Sequence, residues 1–262
     1  GAIQRTHCNW SRVHSLVPSR ATCCRMAPVR VLCLHSFRMS GGSLRKQMCE
    51  FSNFAASLGE QCEFRFLDGP HRCPPEKEAQ MPARLKALLP PPYFEWWNAR
   101  ESDDGVVSYD GEGATLAHVT DFMLQEGPFD GVLGFSQGGS LAHLLCMLQA
   151  HDKAHALPAF RFAVILSARV TRAPGRAPLL AASRVQSIQL PTLLVYGGAD
   201  TDVPAAMTRE LRDTFDPSCV TEVFLPEGKH RVPMLQPAEA ACCRAFVERF
   251  AGAGPHAVRA AM

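Results

Sequence analysis

The chain has 262 residues, 47% of them hydrophobic, which is enough to bury one substantial core or two small ones. Charged residues make up 20% and the formal net charge is +2, with no basic stripe interleaved with aromatics, so nucleic acid is excluded as a partner. No run of 18 apolar residues occurs, and no membrane span is expected. The 11 cysteines are odd in number and include two adjacent pairs, Cys23-Cys24 and Cys242-Cys243, but no CxxC and no His/Cys spacing of a zinc site. Free thiols in a reducing compartment are the simplest reading, and a cytoplasmic location follows from it.

In chain order, residues 1–27 come first, rich in Arg and Ser; the first carboxylate of the chain is Glu50. Such a leader is either an organelle-targeting peptide or an unstructured extension ahead of Met26; the extension is the expectation. A single domain is expected over 28–252. Strand-like runs are Val29–His35, Gln61–Leu67, Asp130–Phe135, Phe160–Ser167, Thr192–Gly197 and Val220–Leu225. Between them, helical patterns cover Ser43–Leu58, Gly113–Gln125, Gln137–Gln149, Ala205–Phe215 and Pro237–Phe250. This alternation predicts an α/β fold with a mostly parallel central sheet and helices on both faces. Two stretches interrupt it. Residues 69–112 are Pro-rich at both ends and carry Phe94, Trp96 and Trp97, while 168–190 carry Arg169, Arg172, Arg176 and Arg184. Long connections of this kind are often lids or binding loops. Residues 253–262 read as a flexible tail.

Chemistry concentrates at Gly134-Phe135-Ser136-Gln137-Gly138. A bare GxSxG arises by chance in roughly 0.1 of chains this long, so its flanks decide. A strand-like run precedes it and a helix-like run follows, the context a nucleophile elbow requires. The turn is too sharp for side chains at 134 and 138, and it pushes Ser136 clear of the backbone at the helix N-terminus. The helix dipole there favours negative charge developing on a substrate oxygen.

A serine hydroxyl needs a base, and the base needs an orienting carboxylate. Asp200 follows the strand candidate Thr192–Gly197, and His230 follows Val220–Leu225, in the chain order Ser, acid, His. Asp202 is the alternative acid; spacing to Val203-Pro204 favours Asp200. His256, the other histidine downstream, lies in the tail. For the oxyanion, the backbone N–H of Gln137 is one expected donor, and that of Phe37, in the loop after the first strand, is the other. His35 precedes the serine and reads as a histidine that shapes this loop.

From about Val29 to Phe250 the chain resembles the family of serine hydrolases (FSH) within the α/β-hydrolases. The resemblance rests on Leu32-Cys33-Leu34-His35, Phe66-Leu67-Asp68-Gly69-Pro70, Trp96-Trp97, and the run from Gly127-Pro128-Phe129-Asp130-Gly131 through the elbow. Val195-Tyr196-Gly197 to Val203-Pro204 and Gly228-Lys229-His230-Arg231-Val232-Pro233 complete it. It implies an α/β-hydrolase fold, a triad of Ser136, Asp200 and His230, and no cofactor or metal. It further implies an esterase or thioesterase acting on a small-molecule ester, often with a fatty-acyl or alkyl chain. Relatives have glycine where this chain has Ser36; a positive φ there would strain the loop. Phe94, Trp96, Trp97, Phe135 and 168–190 either line an apolar acyl cavity or, for the tryptophans, pack the insertion onto the sheet. The arginines of 168–190 either meet an acidic leaving group or form a solvated face, the commoner case. An acyl-protein thioesterase, lipase or peptidase, or a weakly catalytic small-molecule receptor on the same fold, are the alternatives.

Overall fold

The computed structural model describes residues 27–252 apart from 104, 106 and 153–156. The expected leader, save Ala27, and the expected tail lie outside the described residues. The first strand, β1 (Val29–Leu34), leads through α1 (Gly41–Cys49) and α2 (Phe54–Leu58) into β2 (Cys62–Leu67). An excursion follows: β3 (His71–Arg72), α3 (Pro75–Gln80), α4 (Ala83–Leu88), β4 (Phe94–Glu95), β5 (Asn98–Glu101) and β6 (Val107–Asp110). The chain then alternates α5 (Glu112–Glu126), β7 (Gly131–Phe135), α6 (Gln137–His151), β8 (Phe162–Leu166), α7 (Ala177–Val185), β9 (Thr192–Gly197), α8 (Ala205–Arg212), β10 (Val220–Leu225) and α9 (Pro237–Glu248).

Six of these strands form one sheet in the order β10-β9-β8-β7-β1-β2, every pairing parallel. Parallel strands buried on both faces must be apolar at successive positions, and the side chains divide at period two. In β1, Leu32 and Leu34 join one core while Val31 and Cys33 join the other. Helices α5 and α6 cover the first face with Leu116, Val119, Met123, Leu141, Ala142, Leu144 and Leu145; α1, α2 and α9 cover the second with Leu44, Met48, Phe54, Leu58, Phe246 and Val247. The helices therefore lie on both faces, as the alternation predicts.

Two details differ from the sequence pattern. The expected helix Ser43–Leu58 breaks at 50–53, because Asn53 turns its side chain to the backbone of Leu235 (Leu235 N–H to Oδ1 and Nδ2 to Leu235 O, both 2.8 Å). Ser52 meanwhile donates to the Gln47 carbonyl at 2.7 Å, so local side chains take over groups the helix would have used. The stretch 168–190 is less irregular than expected, since it contains α7.

The chain reverses direction across the sheet between β1 and β7: β2 lies to one side and β8 to the other. Carboxyl ends of strands at such a switch point leave a crevice between their loops. The loop after β1, residues 35–40, and the turn after β7 border that crevice.

Candidate active site

Ser136 stands between β7 and α6 with φ 56 and ψ −116, a conformation non-glycine residues rarely adopt and one that costs on the order of 1–3 kcal/mol. Its surroundings enforce it. The Ser136 N–H donates to the Leu166 carbonyl at 2.9 Å, and its own carbonyl accepts from Ser140 N–H at 2.9 Å. A Cβ at Gly134 would lie 2.1 Å from the Gly138 carbonyl oxygen, and one at Gly138 would lie 2.1 Å from that of Leu34. Both glycines are thus required by backbone on backbone.

His230 follows β10 and places Nε2 2.9 Å from Ser136 Oγ, while its Nδ1–H donates to Asp200 Oδ2 at 2.8 Å. Asp200 follows β9. Its carboxylate is fully buried, and Oδ1 accepts the N–H groups of Asp202 (3.0 Å) and Val203 (2.8 Å), which fixes its rotamer. Asp202 points to solvent and meets neither His230 nor Ser136. The loops carrying Asp200 and His230 are pressed together: a Cβ at Gly197 would lie 2.0 Å from the Gly228 carbonyl oxygen, which accepts Ala199 N–H at 3.0 Å. The three residues selected from the sequence are therefore brought into one chain of two hydrogen bonds.

The loop after β1 is built around His35. This ring is buried, donates Nδ1–H to the Ser36 carbonyl at 2.8 Å and accepts Gly69 N–H at Nε2 at 2.9 Å. Burial lowers its pKa to about 4, so it is neutral. Trp96 stacks on it at 4.8 Å and donates Nε1–H to its carbonyl at 2.8 Å. His35 thus shapes the loop, and both its nitrogens are committed. The left-handed angle feared at Ser36 falls elsewhere: Ser36 has no positive φ, and Arg38 carries it at 53. Arg38 places its guanidinium over the Phe37 ring, 4.5 Å from the centroid, and pairs with the buried carboxylate of Glu95 at 2.7 Å.

Gln137 opens α6, where the first N–H groups have no partner within the helix. Its side chain does a separate task that the sequence does not advertise. Oε1 accepts Trp96 N–H at 3.1 Å, and Nε2 donates to the Trp97 carbonyl at 2.8 Å. The excursion 69–112 is hence tied to the elbow itself.

A cavity of about 280 Å³ opens at Ser136, walled chiefly by Phe37, Trp97, Asn98, Tyr109, Arg169 and Arg172. Trp97 stacks on Tyr109 at 5.0 Å. The expectations for this wall divide. Trp97 lines it, whereas Trp96 packs on His35, and Phe135 lies in the core with its ring 5.1 Å from that of His230. Of the arginines, Arg169 and Arg172 face the cavity instead of forming a wholly solvated surface. Tyr109 escaped the sequence reading, since nothing local marks a strand residue of an excursion as facing Ser136. Among the described residues, no group of three or more His, Cys, Asp or Glu is gathered as metal ligands, and no helix is long and apolar enough to cross a membrane.

The parallel sheet, the strained serine between strand and helix, and the acid and histidine beyond later strands define an α/β-hydrolase. Solved structures agree on the fold: Zea mays acyl-protein thioesterase 2 is 22% identical with TM-score 0.53, covering 85% of this chain and 94% of its own. Esterase PE8 is 20% identical with TM-score 0.54, covering 86% and 93%. The chain belongs to the serine hydrolase (FSH1) family, whose model matches residues 25–242. Among relatives, Esterase OVCA2 of Homo sapiens is 31% identical over 234 residues, 86% of this chain and 97% of that protein. Esterase OVCA2 of Danio rerio is 30% identical over 222 residues, 79% and 91% respectively.

Proposed function

We propose that this serine hydrolase cleaves carboxylic esters or thioesters through an acyl-serine intermediate, with Ser136, His230 and Asp200 as its triad. The observation that carries the reading is the unbroken relay from Ser136 Oγ through His230 to the buried Asp200 carboxylate, at 2.9 and 2.8 Å. Ser136 Oγ attacks the acyl carbon as His230 Nε2 takes its proton; Asp200 holds the ring and stabilises the imidazolium. The N–H groups of Gln137 and Phe37 receive the oxyanion. The imidazolium then protonates the departing alcohol or thiol. The neutral imidazole so formed takes a proton from water as that water attacks the acyl-serine, and then returns the proton to Ser136 Oγ as the acid is released. No step needs a metal or cofactor.

Phe37, Trp97, Tyr109 and Val203 offer apolar surface to an acyl or alkyl chain. Eight described cysteines are free thiols, which supports placement in the reducing cytoplasm. The test is labelling by a fluorophosphonate probe together with turnover of p-nitrophenyl acyl esters. Both should be lost in Ser136→Ala, and parental turnover by that variant would refute the mechanism.

A further inference from the structure

The cavity beside Ser136 has a cationic wall, and one of its cations, Arg169, has no ion-pair partner among the described residues. Arg169 follows β8 and is anchored through its backbone: Ser140 Oγ donates to its carbonyl at 2.8 Å and accepts its N–H at 3.3 Å. Ser140 itself lies in the first turn of α6, so Arg169 is fixed relative to Ser136. Its side chain is half-buried, and Nε is shielded from solvent with no hydrogen-bond partner among the described residues. An unsatisfied donor of this kind is costly, more so on a charged group. Among the described residues, the acidic ones acting on it are Glu101 and Glu210, and both are engaged elsewhere. Glu101 lies 3.4 Å from Arg172, and Glu210 lies 2.5 Å from Arg184.

Arg172 adds a second positive charge to the same wall. Burial and this neighbour both lower the proton affinity of Arg169, which marks a place where positive charge exceeds local compensation. Guanidinium forks match carboxylates bidentately, and an anion between these two arginines would offset their mutual repulsion.

The site also indicates which end of the substrate carries the charge. A leaving group must depart beside His230, and His230 is not among the residues that line this cavity. The acyl portion therefore occupies it. We propose that the cavity accepts an acyl chain that ends in a carboxylate, held by Arg169 with Arg172, so that the substrate is an ester or thioester of a dicarboxylic acid. This rests on the acyl-serine reading of Ser136. The volume of about 280 Å³ suits a short chain, being at the lower end for small-molecule sites.

The experiment compares p-nitrophenyl hexanoate with the p-nitrophenyl half-ester of adipate, which has the same six-carbon chain with a terminal carboxylate. The Ser136→Ala rate is subtracted because half-esters hydrolyse by themselves. A third substrate places the carboxylate on the leaving phenol of the hexanoate ester. The full chain should favour the adipate half-ester in kcat/KM by roughly tenfold to a hundredfold, the value of a charge-assisted bidentate contact. Added salt should shrink that ratio. In Arg169→Met the ratio should fall to about one, and Arg169→Lys should retain part of it; probe labelling of Ser136 verifies that each variant is folded. A native ratio near one, with hexanoate turned over, would overturn the proposal while leaving the acyl-serine reading intact. Preference for the carboxylated phenol would overturn it by placing the anion on the leaving side. Failure of all three esters together with failure of probe labelling would instead remove the reading of Ser136, and the proposal with it.

Discussion

Replacing Gly138 with alanine tests how the nucleophile and the oxyanion loop are held together. The added Cβ would lie 2.1 Å from the Leu34 carbonyl oxygen and 2.5 Å from that of His35. Carbon–oxygen contacts begin near about 3.3 Å, so the elbow and the end of β1 must part by about 1 Å. Neither neighbour is a side chain that can rotate away. The donors assigned to the oxyanion, Phe37 N–H and Gln137 N–H, sit on opposite sides of that contact, so the same shift spreads them. A misplacement of 1 Å costs about 10²-fold, and loss of one oxyanion donor costs about 10²–10³-fold in kcat. Overpacking adds about 1–3 kcal/mol of destabilisation. Gly113→Ala is the control, because a Cβ there meets nothing within 4 Å and Gly113 lies in α5. It should leave kcat unchanged and raise stability by about 0.5–1 kcal/mol. The assay pairs kcat on a p-nitrophenyl ester with urea denaturation for both variants. Native kcat and native midpoint in Gly138→Ala would refute the reasoning.

The other predictions concern the acid, the buried histidines and the support of the loop. Asp200→Asn should lower kcat on the order of 10³–10⁴-fold, whereas Asp202→Asn, at an exposed side chain, should change it about twofold at most; equal losses in the two variants would reverse the assignment. His35 and His143 are buried, and burial lowers their pKa values to about 4 and about 3 from an ordinary 6.5. Below pH 6.5 the unfolded chain takes up protons that the folded chain refuses, so acid favours unfolding. Stability should be full at pH 7 and fall by about 1.4 kcal/mol per pH unit for each histidine down to about pH 4, read from urea midpoints. Midpoints that stay flat between pH 7 and 5 would contradict this. Arg38→Ala leaves the Glu95 carboxylate buried without its cation and should cost about 3 kcal/mol. Adding Glu95→Gln to that variant should restore part of the thermal midpoint.

The sheet was legible because parallel strands covered on both faces are largely apolar, as Gly131–Phe135, Phe162–Leu166 and Thr192–Gly197 are, while the edge strand Cys62–Leu67 alternates with Glu63 and Arg65. The line of Ser136, Asp200 and His230 was legible for a related reason. Ser136 directly follows its strand and Asp200 and His230 lie in the loops after theirs, and parallel strands deliver all such loops to one edge. What escaped depends on contacts between segments far apart in the chain. Asn53 interrupts a helical pattern in order to bind Leu235, 182 residues away. Gln137 reads as a helix opener, yet its amide joins the elbow to Trp96 and Trp97. Trp96 and Trp97 are adjacent and chemically identical, but one supports His35 while the other faces the cavity. Alternation along a short piece of extended chain separates them, and nothing in composition tells which is which. The position of the left-handed residue, Arg38 instead of Ser36, depends likewise on Glu95 waiting across the loop.

The close contact of Gly197 with Gly228 has its own consequence for motion. It welds the two loops bearing Asp200 and His230, just as Gly138 against Leu34 welds the nucleophile to the loop before it. His230 reaches from one pair of loops to the other with its ring, touching Ser136 Oγ and the ring of Phe135. The imidazole is thereby held at Nδ1 by a buried carboxylate and at Nε2 by the Ser136 hydroxyl. In the proposed mechanism the ring alone would carry the proton from the attacking oxygen to the departing one, with both pairs of loops left in place.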